Sequence, residues 1–260
     1  MGGRGGSSHI AAHTGGFSDA RSFLQNSYGA EHAQAILRIL QNSPSYVQQM
    51  WDRYASFFRA TNEPPNSQSA FYSPMDDSVH LSIRNVARGS SIHPPYATVF
   101  HEYGHMTDYL IARENGYGNY TAFTEVYKGG LLGQTAKREM QQHLDRAKRL
   151  DPTIRTKTQA ARYIINEAKS KYSQLDRSDI SDIMEGAGIG VAYPLDTGHG
   201  ANYWRDRDNG KEIFAEITSA EAAHPGSLKD IKDYFPETYA VYKDMMKELR
   251  KNGHCYEHYS

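Results

Sequence analysis

Residues 96–114 read YATVFHEYGHMTDYLIARE, and this stretch decides how the chain is expected to fold. Val99, Tyr103, Met106 and Leu110 recur at the three- and four-residue spacing that places apolar side chains on one face of a helix. Two prolines precede the stretch and an Asn-Gly pair follows it, and these residues typically begin and end helices. The sequence therefore predicts a long helix over about 96–114 with one face buried.

The predicted helix carries His101-Glu102-Tyr103-Gly104-His105, an HExxH motif. Because residues four apart lie on the same face of a helix, the imidazoles of His101 and His105 can bind one metal ion together. Glu102 projects beside them and is not needed as a ligand. Its carboxylate can therefore take a proton from an attacking water and pass it to the leaving amine of a peptide. The competing interpretation is a pair of surface histidines on an amphipathic helix.

A zinc ion that two histidines bind needs a third protein ligand if water is to take the fourth position. Residues 211–221, KEIFAEITSAE, offer Glu212 and Glu216, which are four apart and share one face of a predicted helix. One carboxylate can bind the metal while the other accepts a hydrogen bond from a ligand histidine. The spacing alone leaves open which of the two does which.

Two further residues are candidates for this site. His199, in Gly198-His199-Gly200, lies on a predicted flexible loop and can serve as a ligand or as a neighbour of the ligands. Asp108 follows the second motif histidine by three residues, so we expect it to support a ligand rather than to bind the metal. The extended pattern HExxHxxGxxH is absent, because residue 108 is aspartate and residue 111 is isoleucine. This argues against a three-histidine metzincin arrangement.

The composition excludes several classes of partner. With 29 basic and 30 acidic residues the formal net charge is −1, so the chain as a whole has no field that would attract nucleic acid or an anionic membrane. The single cysteine, Cys255, excludes an internal disulfide framework and a cysteine-based metal site. We therefore expect no nucleic-acid partner and no membrane partner, and the sequence gives no indication of an oligomeric state.

The amino-terminal segment gives little information on localisation. Residues 1–18 are rich in Gly, Ser and His, which predicts a flexible segment, with one domain expected over 19–260. The segment lacks the apolar core of a secretory signal, and no apolar run in the chain approaches membrane-spanning length. Secretion by another route, or release from a larger polypeptide, remains compatible with the sequence.

Periodicity elsewhere predicts an α+β fold that is mainly helical with a small sheet beside the motif helix. Residues 61–69 are predicted as a loop. Two short strands are predicted at 70–74 and 78–83 around the turn 75–77, and Pro74 favours an edge position for the first. Further helices are predicted at about 30–41, 44–60, 134–150, 157–175, 178–185, 211–223, 227–233 and 237–251.

Two segments resemble the catalytic domain of anthrax lethal factor and its relatives, which include Pro-Pro endopeptidases. The HEFGH motif of that family, followed by an aspartate and an aromatic residue, resembles residues 101–109, and its EFFAE segment resembles residues 212–216. The resemblance, which covers about 95–125 and 203–251, implies a zincin-like fold. It also implies zinc ligands at His101, His105 and Glu212, and a general base at Glu102. A tyrosine that stabilises the oxyanion in that family has its nearest match at Tyr203.

A second resemblance is to metallopeptidase-like domains at the C-termini of phage minor capsid proteins and related mobile-element proteins. It is carried by two stretches of the chain, 178–204 and 214–236. It implies an alternative role, in which the chain is a non-catalytic zinc-binding or assembly module of a phage or mobile-element protein.

The sequence predicts an endopeptidase that uses one zinc ion and acts on a protein or peptide substrate. An extended substrate is expected to pair with the strand near 78–83 by β-augmentation, unless that strand is an ordinary edge strand. The identity of the substrate and the cleavage site are not encoded in any motif of the chain.

Overall fold

A computed structural model describes residues 17–67, 69–200, 202–204 and 209–252. The predicted flexible segment 1–18 lies outside the described residues except for its last two, and Cys255 lies outside them as well. Across the described residues the chain is mainly helical, with one small sheet, which confirms the predicted α+β class.

The elements have the following bounds. The helices are α1 (Ser18–Tyr28), α2 (Ala30–Asn42), α3 (Ser45–Tyr54), α4 (Ile83–Val86), α5 (Ala97–Glu114), α6 (Phe123–Val126), α7 (Leu131–Leu150), α8 (Lys157–Lys171), α9 (Ser178–Gly186), α10 (Asn209–Ala223), α11 (Pro225–Tyr234) and α12 (Pro236–Asn252). The strands are β1 (Ala60–Asn62), β2 (Phe71–Ser73) and β3 (Ser78–Leu81), and short 3-10 turns lie at Ala55–Phe57 and Tyr127–Gly129.

Most of the predicted elements are present, with shifts of a few residues at their ends. Among the helices and strands, α1, α4, α6 and β1 were not predicted. α1 has only three buried positions, Ala20, Leu24 and Tyr28, which is too short an apolar stripe to stand out in the sequence. β1 overlaps the beginning of the predicted loop 61–69, and its three residues pair in parallel with β3, a contact that local sequence does not reveal.

The sheet has the order β1-β3-β2, so β3 is the central strand. β1 pairs with it in parallel and β2 pairs antiparallel, with Tyr72 opposite Val79. The expectation that the strand near 78–83 pairs with a substrate is therefore wrong, because both of its edges are already hydrogen-bonded. β2 is an edge strand, as Pro74 predicted. Asp77, in the turn between β2 and β3, accepts two hydrogen bonds from Arg113 of α5 at 2.7 and 2.8 Å, which fixes the sheet beside that helix.

The amino-terminal helices cover one face of α5. Tyr103 is fully buried there, its hydroxyl lies 2.8 Å from that of Tyr28, and its ring packs against Trp51 and Phe58. Three aromatic side chains around one buried tyrosine contribute a large apolar area to the core, which stabilises this face of the motif helix.

α5 and α10 form the most extensive helix–helix contact among the described residues. They approach closely because Gly104, in the middle of the motif, has no side chain: a Cβ there would lie 3.1 Å from the Cα of Ala215. Ser219 also donates a hydrogen bond to the carbonyl oxygen of Ala97 at 2.9 Å. This close packing brings the motif side chains and the α10 glutamates to the same place.

A Gly104→Val substitution tests this packing. The added side chain overlaps Ala215, so we expect the free energy of unfolding to fall by about 1–3 kcal/mol, and the zinc affinity to fall with it. Thermal denaturation and chelator competition measure the two effects. Gly118→Val is the matched control, since a Cβ at Gly118 meets only Thr121 Oγ1 at 4.0 Å. Equal stability of the two variants would contradict the close approach.

The carboxy-terminal helices complete the fold around α7. The carboxylate of Glu139 on α7 accepts the backbone N–H groups of Glu237 and Thr238, each at 2.8 Å, at the start of α12. A buried anion at a helix N-terminus satisfies donors that have no partner within the helix.

In the part of the chain that the structure describes, every helix is too short or too polar to span a bilayer.

Candidate metal centre

Three potential metal-binding atoms from α5 and α10 lie within 3.6 Å of one another and form what we call the donor triangle. Nε2 of His101 lies 3.2 Å from Nε2 of His105. Oε2 of Glu212 lies 3.6 Å from Nε2 of His101 and 3.3 Å from Nε2 of His105. All three residues are largely buried, with side-chain exposures of 15%, 13% and 6% respectively. The structure thus brings together the two motif histidines and one of the two candidate glutamates.

The triangle has the dimensions of a zinc site. Four ligands at about 2.0–2.1 Å from a tetrahedral ion lie roughly 3.3–3.4 Å from one another, and the three observed separations are close to this value. Oε2 of Glu212 is buried and has no hydrogen-bond partner in the described part of the chain. A buried carboxylate oxygen without a partner is unfavourable, and a cation between the three donors would satisfy it. The residues present therefore fit one zinc ion.

Glu212 is also in the protonation state that a ligand needs. Burial acts to raise its pKa, but the neighbouring His105 and His101 hold the pKa well below its ordinary value. A carboxylate must be deprotonated to bind a metal, and the two histidines must release their protons for the same purpose.

Glu102 lies beside the triangle and not within it. It is 5% exposed, and one of its carboxylate oxygens lies within 4.8 Å of ligand atoms of both motif histidines. Burial raises the pKa of Glu102 above its ordinary value, although both histidines and the backbone N–H of Tyr72 act to lower it. A carboxylate whose pKa is raised toward neutrality is a better proton acceptor at neutral pH than a solvated one.

Glu216 lies on the opposite side of His101 from the triangle. Its Oε2 is 3.5 Å from Nδ1 of His101, while Nε2 of the same ring faces the triangle. A carboxylate behind a ligand histidine fixes the orientation of the ring and its tautomer. Of the two glutamates that the spacing left unassigned, Glu212 therefore faces Nε2 of both histidines, and Glu216 faces Nδ1 of His101.

Tyr203 and His199 both lie next to the Glu212 carboxylate. The Tyr203 hydroxyl donates a hydrogen bond to Oε1 of Glu212. The His199 ring stacks on the Tyr203 ring with centroids 4.0 Å apart, and its Nε2 lies 3.7 Å from Oε2 of Glu212. In this arrangement Tyr203 holds the ligand carboxylate and His199 borders the donor triangle.

Asp108 is buried farther along α5. Its carboxylate accepts hydrogen bonds from the backbone N–H of Thr124 at 2.9 Å and from the Thr124 hydroxyl at 2.6 Å. Burial raises the pKa of Asp108 to about 7, and the bonds from Thr124 and the nearby His105 act in the opposite direction. Its hydrogen bonds join α5 to α6, so it contributes to the site through the position of the helix and as a charge close to His105.

Sequence reasoning missed two acidic residues on α9, Asp182 and Glu185. Oε2 of Glu185 accepts the backbone N–H groups of His199 at 3.0 Å and Gly200 at 3.1 Å, which fixes the loop that carries His199. Asp182 is 6% exposed, and its Oδ1 lies 3.9 Å from Nε2 of His199. The signal was present in the sequence: acids three residues apart on one face of a helix that also contains Ile180 and Ile183.

α9 is held in place by a buried ion-pair chain. His224, which is 2% exposed, lies 3.4 Å from Asp179 through Nδ1 and 3.4 Å from Asp176 through Nε2. Burial opposes ionisation, but the two carboxylates raise the pKa of His224 above its ordinary value. The pairs connect α9 to the start of α11 and so fix the helix that positions Asp182 and Glu185.

Comparisons with known proteins add no relative to this description. Neither protein-family models, nor curated proteins, nor solved structures gave a match to the chain.

Proposed function

We propose that the protein is a zinc-dependent endopeptidase with a zincin-like catalytic domain. One observation carries the proposal: Nε2 of His101, Nε2 of His105 and Oε2 of Glu212 lie within 3.2–3.6 Å of one another, with the Glu102 carboxylate beside them. Two histidines and a glutamate around an open position are the ligand set of catalytic zinc, and HExxH is the peptidase form of that set. The resemblance to the lethal factor family supports the same assignment.

His101, His105 and Glu212 would hold a zinc ion that, when bound, would lower the pKa of water toward neutrality and polarise the carbonyl of the peptide bond to be cut. Glu102 supplies the proton transfer. Its carboxylate accepts one proton from the attacking water as the oxygen bonds to the carbonyl carbon. It then delivers that proton to the amide nitrogen as the carbon–nitrogen bond breaks.

Two residues keep the ligands in place during this reaction. Oε2 of Glu216 lies 3.5 Å from Nδ1 of His101, where it favours the tautomer that leaves Nε2 to bind the metal. The Tyr203 hydroxyl holds Oε1 of Glu212 and leaves Oε2 for the metal. Groups that orient metal ligands commonly change metal affinity or activity by about 10–100-fold when removed.

The edge of β2 is the surface on which an extended peptide fits. Among the described residues β2 is paired only on the side of β3, and the backbone N–H of Tyr72 is near enough to Glu102 to affect its pKa. A peptide that adds to this edge would have its backbone next to the general base. Main-chain hydrogen bonds provide such binding without strong dependence on side chains.

Removal and restoration of zinc test the proposal. The full chain is stripped with a chelator, reloaded with one equivalent of zinc and incubated with a peptide library, and the products are mapped by mass spectrometry. We expect cleavage by the reloaded chain and none by the stripped chain. A folded chain that holds zinc and cuts no peptide would contradict the endopeptidase and favour the alternative, a zinc-binding assembly module of a phage or mobile-element protein.

A further inference from the structure

Oε2 of Glu212 has three imidazole nitrogens around it and not two. Nε2 of His105 lies at 3.3 Å, Nε2 of His101 at 3.6 Å and Nε2 of His199 at 3.7 Å. For the first two residues this separation is that of neighbouring ligands on one zinc ion. His199 has nearly the same distance to the same oxygen, although it comes from a loop almost a hundred residues farther along the chain.

The backbone around His199 is fixed. Glu185 accepts the N–H groups of His199 and Gly200, and its other oxygen accepts that of Tyr193 at 3.3 Å. Gly198 is required here: its φ is +143°, and a Cβ would lie 2.5 Å from Oε2 of Glu185. The Tyr203 ring then supports one face of the imidazole. The loop is therefore built to present this side chain to the metal site.

A second buried carboxylate oxygen lies near the same nitrogen. Oδ1 of Asp182 lies 3.9 Å from Nε2 of His199, is buried and has no hydrogen-bond partner among the described residues. Nε2 of His199 is thus nearly equidistant from Oδ1 of Asp182 and Oε2 of Glu212, at 3.9 and 3.7 Å, and the imidazole is 34% exposed. A hydrogen bond from this nitrogen to Asp182 would satisfy a buried oxygen that otherwise lacks a partner.

We infer that His199 is a fourth, displaceable ligand of the metal site. The inference rests on the proposed zinc site of His101, His105 and Glu212. With Nε2 of His199 on the metal, the coordination is closed and the position needed for water is occupied. With Nε2 turned toward Asp182, that position is open. The protein would thus alternate between a latent and an active arrangement of the same site, and an arriving substrate would compete with one side chain.

X-ray absorption spectroscopy of the zinc-loaded full chain tests the inference without measuring activity. The wild-type chain is expected to show three imidazole ligands per zinc, and His199→Ala is expected to show two. Loss of one ligand should also weaken zinc binding, on the order of tenfold or more, in a chelator competition. His32→Ala is the matched control: it removes a histidine that bonds to Tyr96 away from the site, and it should retain three imidazoles.

The outcomes separate this inference from the proposed function. Two imidazoles in the wild-type chain, with the zinc affinity of His199→Ala unchanged, would overturn the fourth ligand and leave the three-ligand peptidase intact. A chain that binds no zinc would overturn both. Three imidazoles in the wild-type chain and two in His199→Ala would support the fourth ligand even if no peptide were cut.

Discussion

We expect the Glu102→Gln variant to bind zinc as the wild-type chain does and to lose peptide hydrolysis, with kcat lower by roughly 100- to 10,000-fold. The amide has nearly the same shape as the carboxylate, so the packing beside the histidines is kept. It cannot accept a proton from water at neutral pH, so the step that produces the nucleophile is lost. Because Glu102 does not belong to the donor triangle, the metal should remain bound.

Steady-state kinetics on a peptide identified by the library digest, together with zinc analysis of the same preparation, measure this prediction. Glu237→Gln is the matched control, since it makes the same exchange in an exposed ion pair with Arg138. The effect should appear in kcat and leave KM nearly unchanged, because the proton transfer belongs to the transition state. Hydrolysis at the wild-type rate in Glu102→Gln would remove Glu102 as the base.

The second large effect concerns the two glutamates of α10. Glu216→Gln should weaken zinc binding by about 10–100-fold, the usual effect of a group that orients a ligand histidine. Glu212→Ala should weaken it by more than about 100-fold, because the variant removes a metal ligand itself. The order follows from the distances: Oε2 of Glu212 faces Nε2 of both histidines, while Glu216 faces only Nδ1 of His101.

Competition with a chelator of known zinc affinity measures both variants under one set of conditions. Glu221→Gln serves as the control on the same helix, since its carboxylate accepts a hydrogen bond from Tyr239 away from the metal site. The assignment would be reversed if Glu216→Gln lost zinc and Glu212→Ala kept it.

The helical parts of the site could be predicted because they depend on spacing alone. Residues four apart on a helix share a face, and this spacing predicts the relation of His101 to His105 and of Glu212 to Glu216. Which glutamate faces the histidines depends on how α10 is rotated against α5. That rotation is set by the contact of Gly104 with Ala215, a long-range packing detail that spacing does not contain.

The loop parts of the site could not be predicted in the same way. His199 and Tyr203 reach the ligands because Glu185 on α9 holds the loop backbone and because the two rings stack. Such contacts depend on tertiary structure and have no period in the sequence. The same holds for the order of the strands: alternation indicated β2 and β3, but only the parallel partner β1 makes β3 central.

The site places several carboxylates together in the protein interior, which is unfavourable unless other groups compensate their charge. Glu102, Glu212 and Glu216 are all buried and lie close together, along with Asp182. Placing several carboxylates in a low-dielectric interior is unfavourable unless cations or donors compensate them. The motif histidines compensate in part, and a divalent cation in the donor triangle would complete the balance. This is the physical reason why we regard metal binding as the principal role of the α5–α10 contact.

The most direct measurement is anomalous X-ray diffraction at the zinc edge from crystals of the zinc-loaded chain. The account predicts one strong peak within about 2.0–2.2 Å of Nε2 of His101, Nε2 of His105 and Oε2 of Glu212. A peak bound by other residues, or zinc-loaded crystals with no peak between α5 and α10, would contradict it.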